Sequence, residues 1–195
     1  LDSKDQYLGK IERAKEHISS GDVYQICLTT ELSGDFVGDP LALFLRLRKQ
    51  HPAPYCSYLK TENATYLSIS PERFISVTGN HVMSSPIKGT RERSEDPAED
   101  LVLQNSLGAD NKERAENLMI VDLIRNDLSS VCTAGSIKVD SLLAVRSYST
   151  VHQLVSDISG DLEADKTGFD ALQALFPGGS MTGAPKISAC RILTD

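Results

Sequence analysis

The sequence predicts a layered α/β sandwich, or more loosely an α+β fold, rather than a doubly wound parallel sheet. Three observations lead there. Four strand-like runs follow one another between residues 56 and 85 with no helix between them. Helical periods lie on both sides of that block, and strict alternation of strand with helix is absent.

Taken in order, Tyr7, Leu8, Ile11, Ala14 and Ile18 recur at helical spacing and predict a helix over 5–20, stopped by Gly21. Val23 to Thr30 is rich in strand formers, so a strand is expected over 22–33. Asp39 and Pro40 read as the N-cap and first turn of a second helix, with Leu41, Phe44, Leu45 and Leu47 as its apolar set and Pro52 and Pro54 ending it. Short strands are expected at Cys56–Lys60, Thr65–Ser70, Arg73–Thr78 and His81–Ser85, with Gly79-Asn80 turning between the last two. The charged stretch Arg91–Asp100 reads as a solvated loop running into a helix at about Pro97–Leu107. A long helix over Lys112–Leu128 follows, apolar nearly all round at Leu118–Ile124 and so expected to be buried there. The remainder reads as strands Ser136–Val139 and Val145–Ser156, a helix Gly168–Phe176, a loop Pro177–Lys186 and a last helix. The chain starts at Leu1 without methionine, and the last helix reaches Asp195 uncapped. We therefore expect one partial domain over residues 1–195, cut from a longer chain.

A chain of 195 residues can bury a real core. Its net charge of −7 argues against non-specific nucleic-acid binding, which needs a basic face. No apolar run approaches the ~20 residues of a membrane helix. Cys27, Cys56, Cys132 and Cys190 form no CxxC pair, so neither a thiolate metal site nor a disulfide framework is expected. They read as small apolar thiols of a cytoplasmic protein.

Four places could carry chemistry. Lys88 sits between Pro86-Ile87 and Gly89-Thr90, where a rigid residue and a flexible one could bring backbone close to a ligand. Enclosed there it could act as a nucleophile; otherwise it is a strand-end lysine in water. Glu113 and Glu116 lie three apart on one helix face, with Cβ atoms roughly 5–6 Å apart, suited to Mg²⁺ or simply a solvated acidic face. Asp122, Arg125, Asn126 and Asp127 fall beside the buried stretch and need polar partners. The loop Gly178–Lys186, with Ser180, Thr182 and Gly183 ahead of a helix, could cradle an anion or be an ordinary turn. His152 lies in a strand-like run, as a core residue or an acid–base group.

Together these segments resemble the chorismate-utilising enzymes. The resemblance rests on Gly21-Asp22-Val23-Tyr24-Gln25, Ser70-Pro71-Glu72-Arg73-Phe74, Pro86-Ile87-Lys88-Gly89-Thr90-Arg91, the run from Glu113 to Leu128, and Thr182-Gly183-Ala184-Pro185-Lys186, in the family's order. It implies a layered α/β/β/α sandwich, a chorismate substrate and Mg²⁺ on Glu113 and Glu116. Lys88, with His152, would be catalytic, and Gln25, Gly89, Thr90, Ser180 and Gly183 would line the substrate. Members that use water carry lysine at the place of Gln25, so the resemblance implies ammonia, supplied by a glutamine amidotransferase subunit or fused domain. Lys88, where anthranilate synthases typically show alanine, points to the aminodeoxychorismate synthases and to a covalent Lys88 adduct. Anthranilate synthase component I and a non-catalytic chorismate- or partner-binding module are the alternatives. Many relatives carry the histidine one residue later, at the place of Gln153, on the opposite face of a strand. The source of the acid is therefore open. A second pair of metal glutamates is implied beyond residue 195.

Overall fold

Ser3 opens the first helix with a reciprocal cap: its hydroxyl accepts from Gln6 N, and the Gln6 side chain accepts from Ser3 N. The computed structural model describes residues 2–194. Helix α1 (Lys4–Ser20) ends at Gly21, whose φ of 84° supplies a left-handed stop that other residues adopt at a cost. The described residues form two compact units: Glu31–Arg73, and the segments 2–30 with 74–194.

In the first unit, the Asp39 carboxylate accepts from Leu41 N and Ala42 N and caps helix α2 (Pro40–Gln50). Strands β2 (Tyr55–Lys60) and β3 (Thr65–Ser70) form an antiparallel hairpin in register from Tyr55 opposite Ser70 to Lys60 opposite Thr65. Phe44 from α2 packs on Tyr58 of β2, ring centroids 5.7 Å apart.

In the second unit, β8 (Val151–Asp161) is the centre of a five-stranded sheet. One flank is β5 (His81–Ser85) followed by β6 (Ile87–Glu92), with β4 (Arg73–Thr78) beside β5. The other flank is β7 (Lys138–Ser147). Pro86 separates β5 from β6; it has no N–H to give the ladder, yet its carbonyl accepts from Ser156 N. Helix α3 (Pro97–Ala109) is capped by Asp96, and α4 (Asn111–Ser129) by Asp110, whose carboxylate accepts from Lys112 N and Glu113 N. Helices α5 (Gly168–Leu175), α6 (Gly179–Thr182) and α7 (Lys186–Thr194) follow. The two-residue strands β1 (Gln25–Ile26) and β9 (Gly183–Ala184) pair antiparallel. The core joins Ile120, Val121, Ile124 and Leu128 of α4 to Ile158 of β8, Val82 of β5, and Ala171 and Leu175 of α5. Each fully buried aliphatic there contributes about 1.5–3 kcal/mol.

Several sequence expectations need correcting. The strand over 22–33 shrinks to Gln25–Ile26, because only β9 is there to pair with it. The expected loop from Arg91 begins as the end of a strand, β6, whose ladder with β8 breaks between Ile87 and Thr90 around Gly89 at φ 89°. The run 145–156 is a hairpin, since Tyr148 N donates to Val151 O and turns the chain between β7 and β8. Helix α4 buries one face only: Leu118 is 43% exposed and the Asp122 side chain 82%. Asp122 and Arg125 pair with each other at the surface. The loop Pro177–Lys186 contains a helical turn and β9. Of the cysteines, only Cys132 is buried.

Candidate functional site

Asn117 fixes the height of α4 over the sheet. It is fully buried, its side-chain nitrogen donates to Leu154 O of β8, and its oxygen accepts from Ser156 Oγ. Glu116, next to it in sequence, and Glu113, one turn earlier on the helix, face β6. Gly89 of β6 lies so close that a Cβ there would meet Glu113 Cβ and Leu107 Cδ1 at 3.0 Å. The left-handed φ and this close approach both call for glycine.

The break at Gly89 brings Lys88 onto Glu116. Lys88 Nζ lies 3.2 Å from Glu116 Oε1, and the two side chains are 15% and 25% exposed. The same nitrogen points at Ser180 O, 3.5 Å away. Gln25 Nε2 donates to the same Glu116 oxygen at 2.8 Å, across 91 residues of sequence. The other end of that amide, Gln25 Oε1, is buried with no hydrogen-bond partner among the described residues. A buried acceptor left unpaired costs about 1–3 kcal/mol, so this atom marks a place built for a donor.

Arg91 borders the cluster. Its guanidinium donates to Asp110 Oδ2 at 2.8 Å and lies 3.8 Å from Glu113 Oε1. Asp110 is held below the usual carboxylate range, first by the Glu113 backbone N–H and further by Lys112 N–H and Arg91. Arg91 and Asp110 were not among the expected site residues. The signal for them was the alternating charge after Gly89, which on sequence alone suggests a solvated loop.

Ser180 and Thr182 are buried in the turn of α6, and Thr182 Oγ1 donates to Gly178 O. Gly183, at φ 139°, packs against Gln25: a Cβ there would lie 2.2 Å from Gln25 O. Lys186 carries no free charge for an anion. Its ammonium lies 2.7 Å from Asp127 Oδ2 and also donates to the carbonyls of Ala174 and Leu175 at the end of α5. Asp127 is pushed up by burial, against the lowering pull of Lys186. Lys88, Gln25, Ser180, Gly183 and the two glutamates thus surround one region, with Gly89 beneath and the exposed Thr90 beside it.

His152 lies elsewhere. It is 1% exposed, with Nδ1 2.8 Å from Ser147 Oγ and Nε2 2.9 Å from Asp100 Oδ1. Arg93 grips Asp100 with two nitrogens and holds its carboxyl well below the usual range. Both ring nitrogens of His152 are engaged in tying β7 and β8 to α3. Gln153, also buried, stands opposite Thr90 of β6 and Arg146 of β7 in the ladder.

Glu116 already attracts one cation, the Lys88 ammonium, and Glu113 stands one helical turn away. Among the described residues no third His, Cys, Asp or Glu joins them to complete a metal cage. Two carboxylates suit Mg²⁺, which takes its other ligands from water and substrate oxygens. No helix of the described residues is long and apolar enough to cross a membrane.

Residues 1–195 match the family described as chorismate binding enzyme. An aminodeoxychorismate synthase of Streptomyces pristinaespiralis is 47% identical over 96% of this chain and 26% of that protein. A protein of Haloarcula marismortui named anthranilate synthase component 1 2 is 45% identical over 98% of the chain and 36% of its own length. The chain therefore spans about a quarter to a third of these relatives. The crystal structure of anthranilate synthase component I from Streptococcus pneumoniae superposes with a TM-score of 0.88 at 32% identity, covering 98% of this chain and 42% of that one. The mixed α/β fold is the one found there.

Proposed function

We propose, from the premise that the chain belongs to the family of chorismate binding enzymes, that it is part of an aminodeoxychorismate synthase. Its substrates are chorismate and ammonia, and its product is 4-amino-4-deoxychorismate. Residues 1–195 are read as one partial chorismate-binding domain. The observation that carries this reading is the position of Lys88 Nζ, enclosed and 3.2 Å from Glu116 on a helix with a second glutamate.

Glu116, with Glu113 acting through water, would hold Mg²⁺, which supplies charge neutralisation and orientation of the substrate's ring carboxylate. Lys88, once its ammonium proton has passed to water, attacks C2 of chorismate as the neutral amine. The ring double bonds shift, the C4–O bond breaks, and the C4 hydroxide leaves as water with the proton lost by the new C–N bond. Ammonia then attacks C4, the double bonds shift back, and the C2–N bond to Lys88 breaks as the proton lost by the new C4–N bond passes to the lysine nitrogen. Gln25 cannot deprotonate water, which favours an amine as the second nucleophile over a hydroxyl. Gly89 lets the β6 backbone approach the ring. Thr90, Ser180 and the Gly183 turn line the substrate. His152 has no part in this proton path, because both of its ring nitrogens are already engaged. The ammonia comes from a glutamine amidotransferase, as a subunit or a fused domain.

The Haloarcula relative keeps a second reading in view, amination followed by pyruvate loss to give anthranilate. Incubating the complete gene product with chorismate, Mg²⁺ and an ammonium salt separates the two. Chromatography should show 4-amino-4-deoxychorismate accumulating without anthranilate. Anthranilate as the main product would overturn the assignment.

A further inference from the structure

We propose that Lys88 and a divalent cation compete for Glu116, so that the lysine is a latch which cation binding opens. The inference rests on the reading above that Glu116 holds the metal. Glu116 Oε1 accepts from Gln25 Nε2 at 2.8 Å and faces Lys88 Nζ at 3.2 Å. A donated hydrogen bond and an ammonium thus both stand against that one carboxylate oxygen. A Mg²⁺ ligand bond is about 2.0–2.1 Å long, so an ion on that oxygen would stand against the ammonium inside a partly dry cleft. Like charges at that separation repel strongly where water does not screen them. One of the two must leave.

The fold offers the departing nitrogen a place. Gln25 shares the oxygen with Lys88, and its own Oε1 is buried without a donor among the described residues. When Lys88 lets go of Glu116, that amide oxygen can accept from it. In this account Glu116 holds the nucleophile until a cation takes its place, and cation binding delivers the amine to the substrate cleft. The coupling is reciprocal: the cation frees the amine, and the amine weakens the cation.

The test is cation affinity in the complete gene product without substrate, read by calorimetry with Mg²⁺ and by electron paramagnetic resonance with Mn²⁺. Lys88→Met should bind about 10-fold tighter than wild type, whereas Glu116→Gln should bind at least about 10-fold weaker. Lys112→Met, one turn before Glu116 and exposed, removes the same charge and should change affinity less than about twofold. If Glu116→Gln weakens binding but Lys88→Met does not tighten it, the latch is wrong and the metal site stands. Unchanged affinity in Glu116→Gln would overturn both. A measurement on wild type guards against a misfolded variant: amine-reactive labelling of Lys88, mapped by peptide mass spectrometry, should rise severalfold on adding Mg²⁺. Labelling that is unchanged or lower contradicts the latch.

Discussion

Lys88→Ala is expected to lower 4-amino-4-deoxychorismate formation by about 10³-fold in kcat, because the variant loses the nucleophile and with it the covalent route. What remains is direct attack of ammonia on C4, which needs no enzyme amine. The fold should survive. Among the described residues the Lys88 amine has Glu116 and the Ser180 carbonyl as its polar partners, and Glu116 keeps the Gln25 amide as a donor and some access to water. Circular dichroism and the thermal midpoint should stay close to wild type, so lost turnover reports on chemistry. Stopped assays with saturating chorismate and ammonium would read it. Wild-type rates in the variant would remove Lys88 from the mechanism.

Gly183→Ala is expected to be the most damaging small substitution in the chain. The residue sits at φ 139°, where side chains are strained, and a methyl group would lie 2.2 Å from Gln25 O and 3.0 Å from Ala189 Cβ. Neither obstacle is a flexible side-chain end, so the pairing of Gln25 with Ala184 and Ile26 with Gly183 must open. A loss of about 3 kcal/mol or more follows, near a 6–12 °C fall in midpoint for a chain of this size. The same movement draws Gln25 away from Glu116, so activity should fall even where the protein remains folded. Gly34→Ala is the control, because a methyl group added there would meet nothing within 4 Å; its midpoint should move by less than about 2 °C. Equal shifts in the two variants would show that the close approach does not matter.

The helices were legible because their signals are local. Asp39 with Pro40 marks the observed start of α2, and the helical spacing from Tyr7 to Ile18 places α1 close to its observed start at Lys4. Strand ends were harder, since a strand needs a partner elsewhere in the chain. After Ile26 the Cys27 N–H still donates to Thr182 O, but the ladder with β9 ends at Ile26 and β1 stops there. Conversely, β6 carries Lys88, Gly89, Arg91 and Glu92 and hides its period behind charge; β8 supplies the pairing, and α4 with its cap supplies partners for Lys88 and Arg91. The hairpin at Tyr148 turns without glycine or proline, which erased the boundary between β7 and β8.

The site divides the same way. The spacing of Glu113 and Glu116 puts them on one face of any helix. That Lys88 and Gln25 converge on a single oxygen of Glu116, 28 and 91 residues away, is a property of the folded sheet and no local pattern reports it. His152 shows the opposite limit. A histidine in a strand reads alike whether it serves a substrate or a neighbouring carboxylate, and here Ser147 and Asp100 take both nitrogens. Lys186, at the end of the expected anion cradle, instead joins Asp127 of α4 to the last carbonyls of α5.

The central claim is that the amine of Lys88 bonds to the substrate ring. Mixing the complete gene product with chorismate and Mg²⁺ in the absence of ammonia, quenching within seconds and digesting for peptide mass spectrometry reads that bond directly. The peptide containing Lys88 should gain the mass of chorismate less one water, and adding ammonium should discharge it as product appears. Product formation with that peptide unmodified at every quench time, or with the added mass on another residue, would contradict the account.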